Sequence, residues 1–87
     1  MEIIVICSEI DDTVYLYKGE NGNYEEFQRI IGGNKQLEYI SLSKNKNMLL
    51  VTYEEKTELY VLGFDGKYSK VGEDSSVALG RSNFIEE

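Results

Sequence analysis

Ile4-Val5-Ile6-Cys7-Ser8-Glu9 is echoed by Leu50-Val51-Thr52-Tyr53-Glu54-Glu55, an offset of 46 residues. Val14-Tyr15-Leu16-Tyr17, with Gly22-Asn23-Tyr24 after it, is echoed by Glu58-Leu59-Tyr60-Val61, with Gly66-Lys67-Tyr68 after it, an offset of 44. The small difference falls between the paired runs, where a hairpin turn absorbs it. A period near 45 residues with strand-like content in each copy belongs with repeat architectures, whose units bury their apolar faces against neighbours. The chain therefore reads as one domain, residues 1–87, with similar halves at about 1–46 and 47–87.

Alternation and turn residues mark out the strands. Residues 2–7 are almost continuously apolar, and Asp11-Asp12 turns the chain into Thr13–Lys18. There Val14 and Leu16 face one way and Tyr15 and Tyr17 the other. Asn21-Gly22 supplies the positive φ angles of a tight hairpin, and Asp65-Gly66 stands at the corresponding place in the second half. Further strands are expected over 24–31, 37–43, 48–53, 58–63, 67–71 and 77–79, with loops at 32–36, 44–47, 54–57 and 72–76. Tyr24–Ile31 is the best contender for a helix, since Tyr24, Phe27, Ile30 and Ile31 fall at helical spacing. The sum is an all-β antiparallel meander of about eight short strands, closed as a barrel or sandwich or laid out as two propeller-like blades. Its expected core is Ile4, Ile6, Val14, Leu16, Leu50, Leu59 and Val61.

The stretch from Val14-Tyr15-Leu16-Tyr17 through Gly22-Asn23-Tyr24 to Tyr39-Ile40-Ser41-Leu42-Ser43-Lys44-Asn45-Lys46-Asn47-Met48-Leu49-Leu50-Val51 resembles one β-propeller blade of the lactonase type. Glu58 to Ile85 covers the same ground with a shorter loop. A propeller closes with about four to eight blades, and this chain has length for two. The resemblance therefore implies either a ring of several copies or a compact fold of one. No catalytic residue of that family carries over, because no matching motif is present.

Composition narrows the chemistry. With 16 acidic against 9 basic residues and no histidine, the formal charge is −7. That disfavours direct contact with nucleic acid or with anionic membranes, both of which require cationic surface. No apolar run approaches the ~20 residues of a membrane span. Glu2 follows Met1 directly, so no basic leader region is expected. The lone Cys7 sits in an apolar run and reads as a small buried hydrophobe in a reduced, cytoplasmic setting. The carboxylate pairs Asp11-Asp12, Glu25-Glu26, Glu54-Glu55 and Glu86-Glu87 lack the spaced ligands of a calcium loop. Gly32-Gly33 and Gly19…Gly22 lack the Walker spacing. Serines without histidine form no ordinary triad. No catalytic residue, metal ligand or cofactor is expected.

What remains is binding. The seven tyrosines exceed what so small a core can take with hydroxyls satisfied, and tyrosine suits interfaces. The two acidic turns sit at corresponding ends of the halves and are expected at one rim. Asp11, Asp12, Glu54 and Glu55 would steer a basic partner, with Tyr15, Tyr17 and Tyr60 as aromatic anchors. The expected function is a small, acidic, non-enzymatic binding protein. By analogy of size and charge, it would be a phage-type inhibitor of a basic, nucleic-acid-binding host defence protein. The alternative is a self-assembling, propeller-like homo-oligomer or small-ligand module built through exposed strand edges.

Overall fold

A computed structural model describes residues 1–74. Short runs rich in tyrosine, valine and isoleucine, cut by turn residues, form seven strands. These are β1 (Glu2–Ser8), β2 (Thr13–Glu20), β3 (Asn23–Ile31), β4 (Leu37–Leu42), β5 (Met48–Tyr53), β6 (Thr57–Leu62) and β7 (Tyr68–Asp74). Every pairing is antiparallel, in one sheet ordered β1-β2-β3 and a second ordered β4-β5-β6-β7. The segment Tyr24–Ile31 is strand throughout, not helix. The expected strand over 77–79 lies outside the described residues.

The sheets face each other across a core of Val14, Leu16, Ile30, Leu37, Leu49, Val51, Tyr53, Tyr60 and Tyr68. Strand β1 runs beside β4. On the opposite flank the Gln28 side-chain amide of β3 clasps the Tyr68 backbone of β7, donating to its carbonyl at 2.7 Å and accepting from its N–H at 2.8 Å. The result is a two-layer, all-β sandwich with no helix among the described residues.

Positions 44 residues apart share more than sequence. Gly22 and Gly66 both hold positive φ, at 86° and 82°. Asn21 is also left-handed at φ 55°, so Asn21-Gly22 makes the two-residue type I′ turn that matches strand twist. At the second turn, Gly66 N–H instead donates to the Gly63 carbonyl at 3.0 Å, closing a longer loop. An L side chain at positive φ costs roughly 1–2 kcal/mol. Gly22→Val and Gly66→Val should each lower stability by about that amount in urea titrations, and a change below about 0.3 kcal/mol at both would refute the assigned turn geometry.

Part of the expected core is corrected. Val14 and Leu16 are fully buried, but Ile4 and Ile6 are 38 % and 47 % exposed. Their neighbours Ile3, Val5 and Cys7 pack inward instead. In the second sheet Leu50, Leu59 and Val61 are half-buried on the opposite face, and Leu49, Val51 and Tyr60 fill the core.

Candidate functional site

Strand alternation presents a second set of side chains away from the core. Because Val14 and Leu16 point inward, Tyr15 and Tyr17 point out. The ladder sets Ile4 opposite Tyr17, Ile6 opposite Tyr15, Tyr15 opposite Arg29 and Thr13 opposite Ile31. Ile4, Ile6, Tyr15, Tyr17 and Ile31 thus share the outer face of the first sheet. Carboxylates surround them. The Tyr15 hydroxyl donates to Asp11, the Tyr24 hydroxyl donates to Glu2, and Arg29 pairs with Glu26 while lying 5.2 Å from the Tyr15 ring centroid. The Tyr15 hydrogen bond, helped by one from Ser8, holds the Asp11 carboxyl below its usual range, so this rim stays anionic.

Both acidic turns fall at one end of the sandwich, tied together through the start of β4. The Leu37 N–H donates to Asp12 Oδ1 at 3.0 Å, and the Glu54 N–H donates to the Gln36 carbonyl at 2.8 Å. Strand polarity adds Glu9, Glu38, Glu73 and Asp74 to the same end. The far end mixes Glu2, Glu20, Glu25 and Asp65 with Lys18, Lys44, Lys46 and Lys67. The far end is thus balanced, whereas the acidic end keeps a net negative charge even with Lys35 and Lys56 there, paired to Glu58 and Glu73.

The candidate residues divide accordingly. Asp11, Glu54 and Glu55 are exposed at the acidic end, and Tyr15 and Tyr17 are half-buried on the adjoining face. Asp12 has another task. It sits at φ 52°, its carbonyl accepts the Gly32 N–H at 2.9 Å, and its carboxylate anchors β4. Gly32 is required there, since a Cβ would meet the Asp12 carbonyl oxygen at 2.4 Å. Tyr60 is turned into the core, only 9 % exposed, and is no rim anchor.

Tyr60 faces inward because of a residue that local patterning does not single out. Glu58 is 1 % exposed, although Val14 fills the position 44 residues earlier. Its Oε2 receives Lys35 at 3.0 Å, Lys56 at 3.3 Å and Lys70 at 3.4 Å, and its Oε1 accepts the Tyr60 hydroxyl at 2.8 Å. Burial alone would raise this carboxyl, but the hydrogen bonds from Lys35, Tyr60 and Lys56 outweigh it and hold the group at about 2. Burial, with Glu58 nearby, pushes the Tyr53 phenol up to about 12. Lys35 lies 4.6 Å from the centroid of that ring. Four donors converge on a carboxylate that is almost closed to solvent, so the group is engaged within the fold. The cluster is a device of the fold. Its signal in the sequence is the internal offset of 44 residues, which sets a glutamate on a core valine.

Burial, then the charges of Glu9 and Asp12, raise the Cys7 thiol, the opposite of an activated nucleophile. Among the described residues no acidic or thiol cluster is arranged to hold a metal ion, and no helix is long and apolar enough to cross a membrane. No protein family, curated protein or solved structure matches the chain.

Proposed function

We propose that this is a non-enzymatic binding protein that docks a basic protein partner on the outer face of its first sheet and the acidic end beside it. The observation that carries the reading is the juxtaposition of exposed Ile4 and Ile6 with Tyr15 and Tyr17, bordered by Glu2, Asp11 and Glu26. Apolar and aromatic side chains supply desolvation and anchoring, and flanking carboxylates supply steering and orientation. A partner with a cationic groove, such as a nucleic-acid-binding protein, fits that pattern, and occupying such a groove would inhibit it.

The test separates the two contributions. Association with a purified cationic partner should slow by about tenfold between 0.01 M and 0.15 M salt, as the Debye length contracts from about 30 to about 8 Å. Asp11→Lys should reduce the association rate and its salt dependence. Tyr17→Ala should chiefly accelerate dissociation. Asp12 is unsuitable for this purpose, because reversing its charge also removes the acceptor of the Leu37 N–H. Affinity indifferent to salt and to both variants would overturn the proposal.

A further inference from the structure

Among the described residues, two sheets of three and four strands leave four edges, and the chain treats one of them differently. Edge strands expose unpaired backbone groups and are usually blunted by bulges, charges or proline. Against β2, the β3 partners jump from Gln28 to Glu26, leaving Phe27 as an extra residue. Against β5, the β4 register skips Glu38, and against β6, the β7 register skips Val71. Each of these edges carries an irregularity that bends it and breaks the ladder. Strands β3 and β7 are charged as well, through Glu25, Glu26 and Arg29 and through Lys70, Glu73 and Asp74.

Strand β1 lies beside β4 but forms no ladder with it, and it carries no bulge. Its register with β2 is unbroken from Glu2↔Gly19 to Ser8↔Thr13. Its only charge is Glu2, at the first position. Among the described residues β1 pairs only with β2. Its inward residues Ile3, Val5 and Cys7 are only partly buried, and its outward residues Ile4 and Ile6 are exposed. Beside its C-terminal half lies a shallow groove of about 600 Å³, lined by Ile6, Ile10, Tyr39 and Ile40 and flanked by Glu9 and Glu38. Ile10, at the mouth of this groove, is 98 % exposed.

We infer that β1 is a strand-acceptor edge, and that its occupant is an extended segment of a basic protein with apolar residues at alternate positions and lysine or arginine at its ends. An added strand satisfies the backbone groups of the edge, and its alternate side chains complete the cover over Ile3, Val5 and Cys7. Charge selects the occupant. Glu2 marks one end of the edge, Glu9 and Glu38 mark the other, and neither β1 nor β4 holds a lysine or arginine. A second copy of this acidic chain would bring like charges to those same ends. The inference rests on the binding-protein reading and specifies how the partner is held.

Backbone methylation provides the test. The probe is a synthetic eight-residue peptide with valine at alternate positions and lysine at both ends, made also with N-methyl groups on its odd or on its even amides. An added strand turns only one set of amides toward β1, so one methylated peptide should bind at least about tenfold more weakly and the other about as well as the parent. The Ile6→Lys variant, melting as the unaltered protein does, should show a similar loss, and bound peptide should slow amide exchange in β1. Equal binding of both methylated peptides would overturn strand addition while leaving basic-partner docking in place. Failure of the parent peptide to bind at low salt would also overturn the edge assignment, and the docking reading would then stand or fall on the salt dependence of the intact partner. A dimer in sedimentation that Ile6→Lys dissociates would make a second copy the occupant and overturn the basic segment.

Discussion

Glu58→Ala is expected to lower the unfolding free energy by about 2–4 kcal/mol, the cost of leaving a buried hydroxyl unsatisfied and of losing hydrogen bonds to a charged group. That is a large share of the roughly 5–15 kcal/mol available to a domain of ordinary stability. The loss has two sources. The Tyr60 hydroxyl keeps its burial but loses the acceptor at 2.8 Å, and three ammonium groups lose the carboxylate that holds them together. Glu58→Gln isolates the charge. The folded-state value of about 2 lies below the ordinary 4.5, so the ionised group contributes its full stabilisation above about pH 4.5 and loses it as pH falls toward 2. A shift of this size corresponds to roughly 3 kcal/mol at most. Urea titrations of the unaltered protein and Glu58→Gln should therefore differ most near neutrality and converge near pH 2. Curves that stay parallel across this window would show that Glu58 titrates as an ordinary surface carboxylate.

The meander was legible because its punctuation is chemical. Asn21-Gly22, Asp65-Gly66 and the polar run at 44–47 cannot continue a strand, and the strands stop beside them. The phase of each strand was harder to read. In β2 the alternation of Val14 and Leu16 with two tyrosines gives the inward face directly. The runs at 2–7 and 48–53 are apolar at nearly every position, so period-two alternation assigns no face, and the expectation that Ile4, Ile6 and Leu50 are core fails. In β6 apolarity itself misleads. Leu59 and Val61 look like core, but Glu58 and Tyr60 occupy it, because three lysines from a loop, a turn and a neighbouring strand converge there in space. Transferring the β2 phase across the offset of 44 residues would have placed both correctly. The acidic end was legible for a similar reason, since antiparallel strands return alternate turns to the same side. That Asp12 is committed to Leu37 depends on a contact 25 residues away, which no local pattern encodes.

Leu16→Ala and Leu49→Ala should each cost about 2–5 kcal/mol, whereas Ile6→Ala should cost less than about 1 kcal/mol. Leu16 and Leu49 come from opposite sheets and expose no surface, so truncating either one opens a cavity at the interface between the layers. The same core holds Tyr53 and Tyr68, whose large rings limit how far the site can close over a cavity. Ile6, by contrast, is 47 % exposed and loses mainly contacts along the outer face. If Ile6→Ala proved more costly than Leu49→Ala in equilibrium unfolding, the facing of β1 would be reversed. The outer face would then be core, and no docking surface would exist there. The ordering also bears on function. A residue whose side chain adds little to folding yet presents an isoleucine to solvent beside Tyr15 is available to a partner, so Ile6→Ala should weaken binding in a protein that still folds. Leu49→Ala should weaken it only in proportion to the fraction unfolded, and strengthening the fold with an osmolyte should restore binding to Leu49→Ala and not to Ile6→Ala.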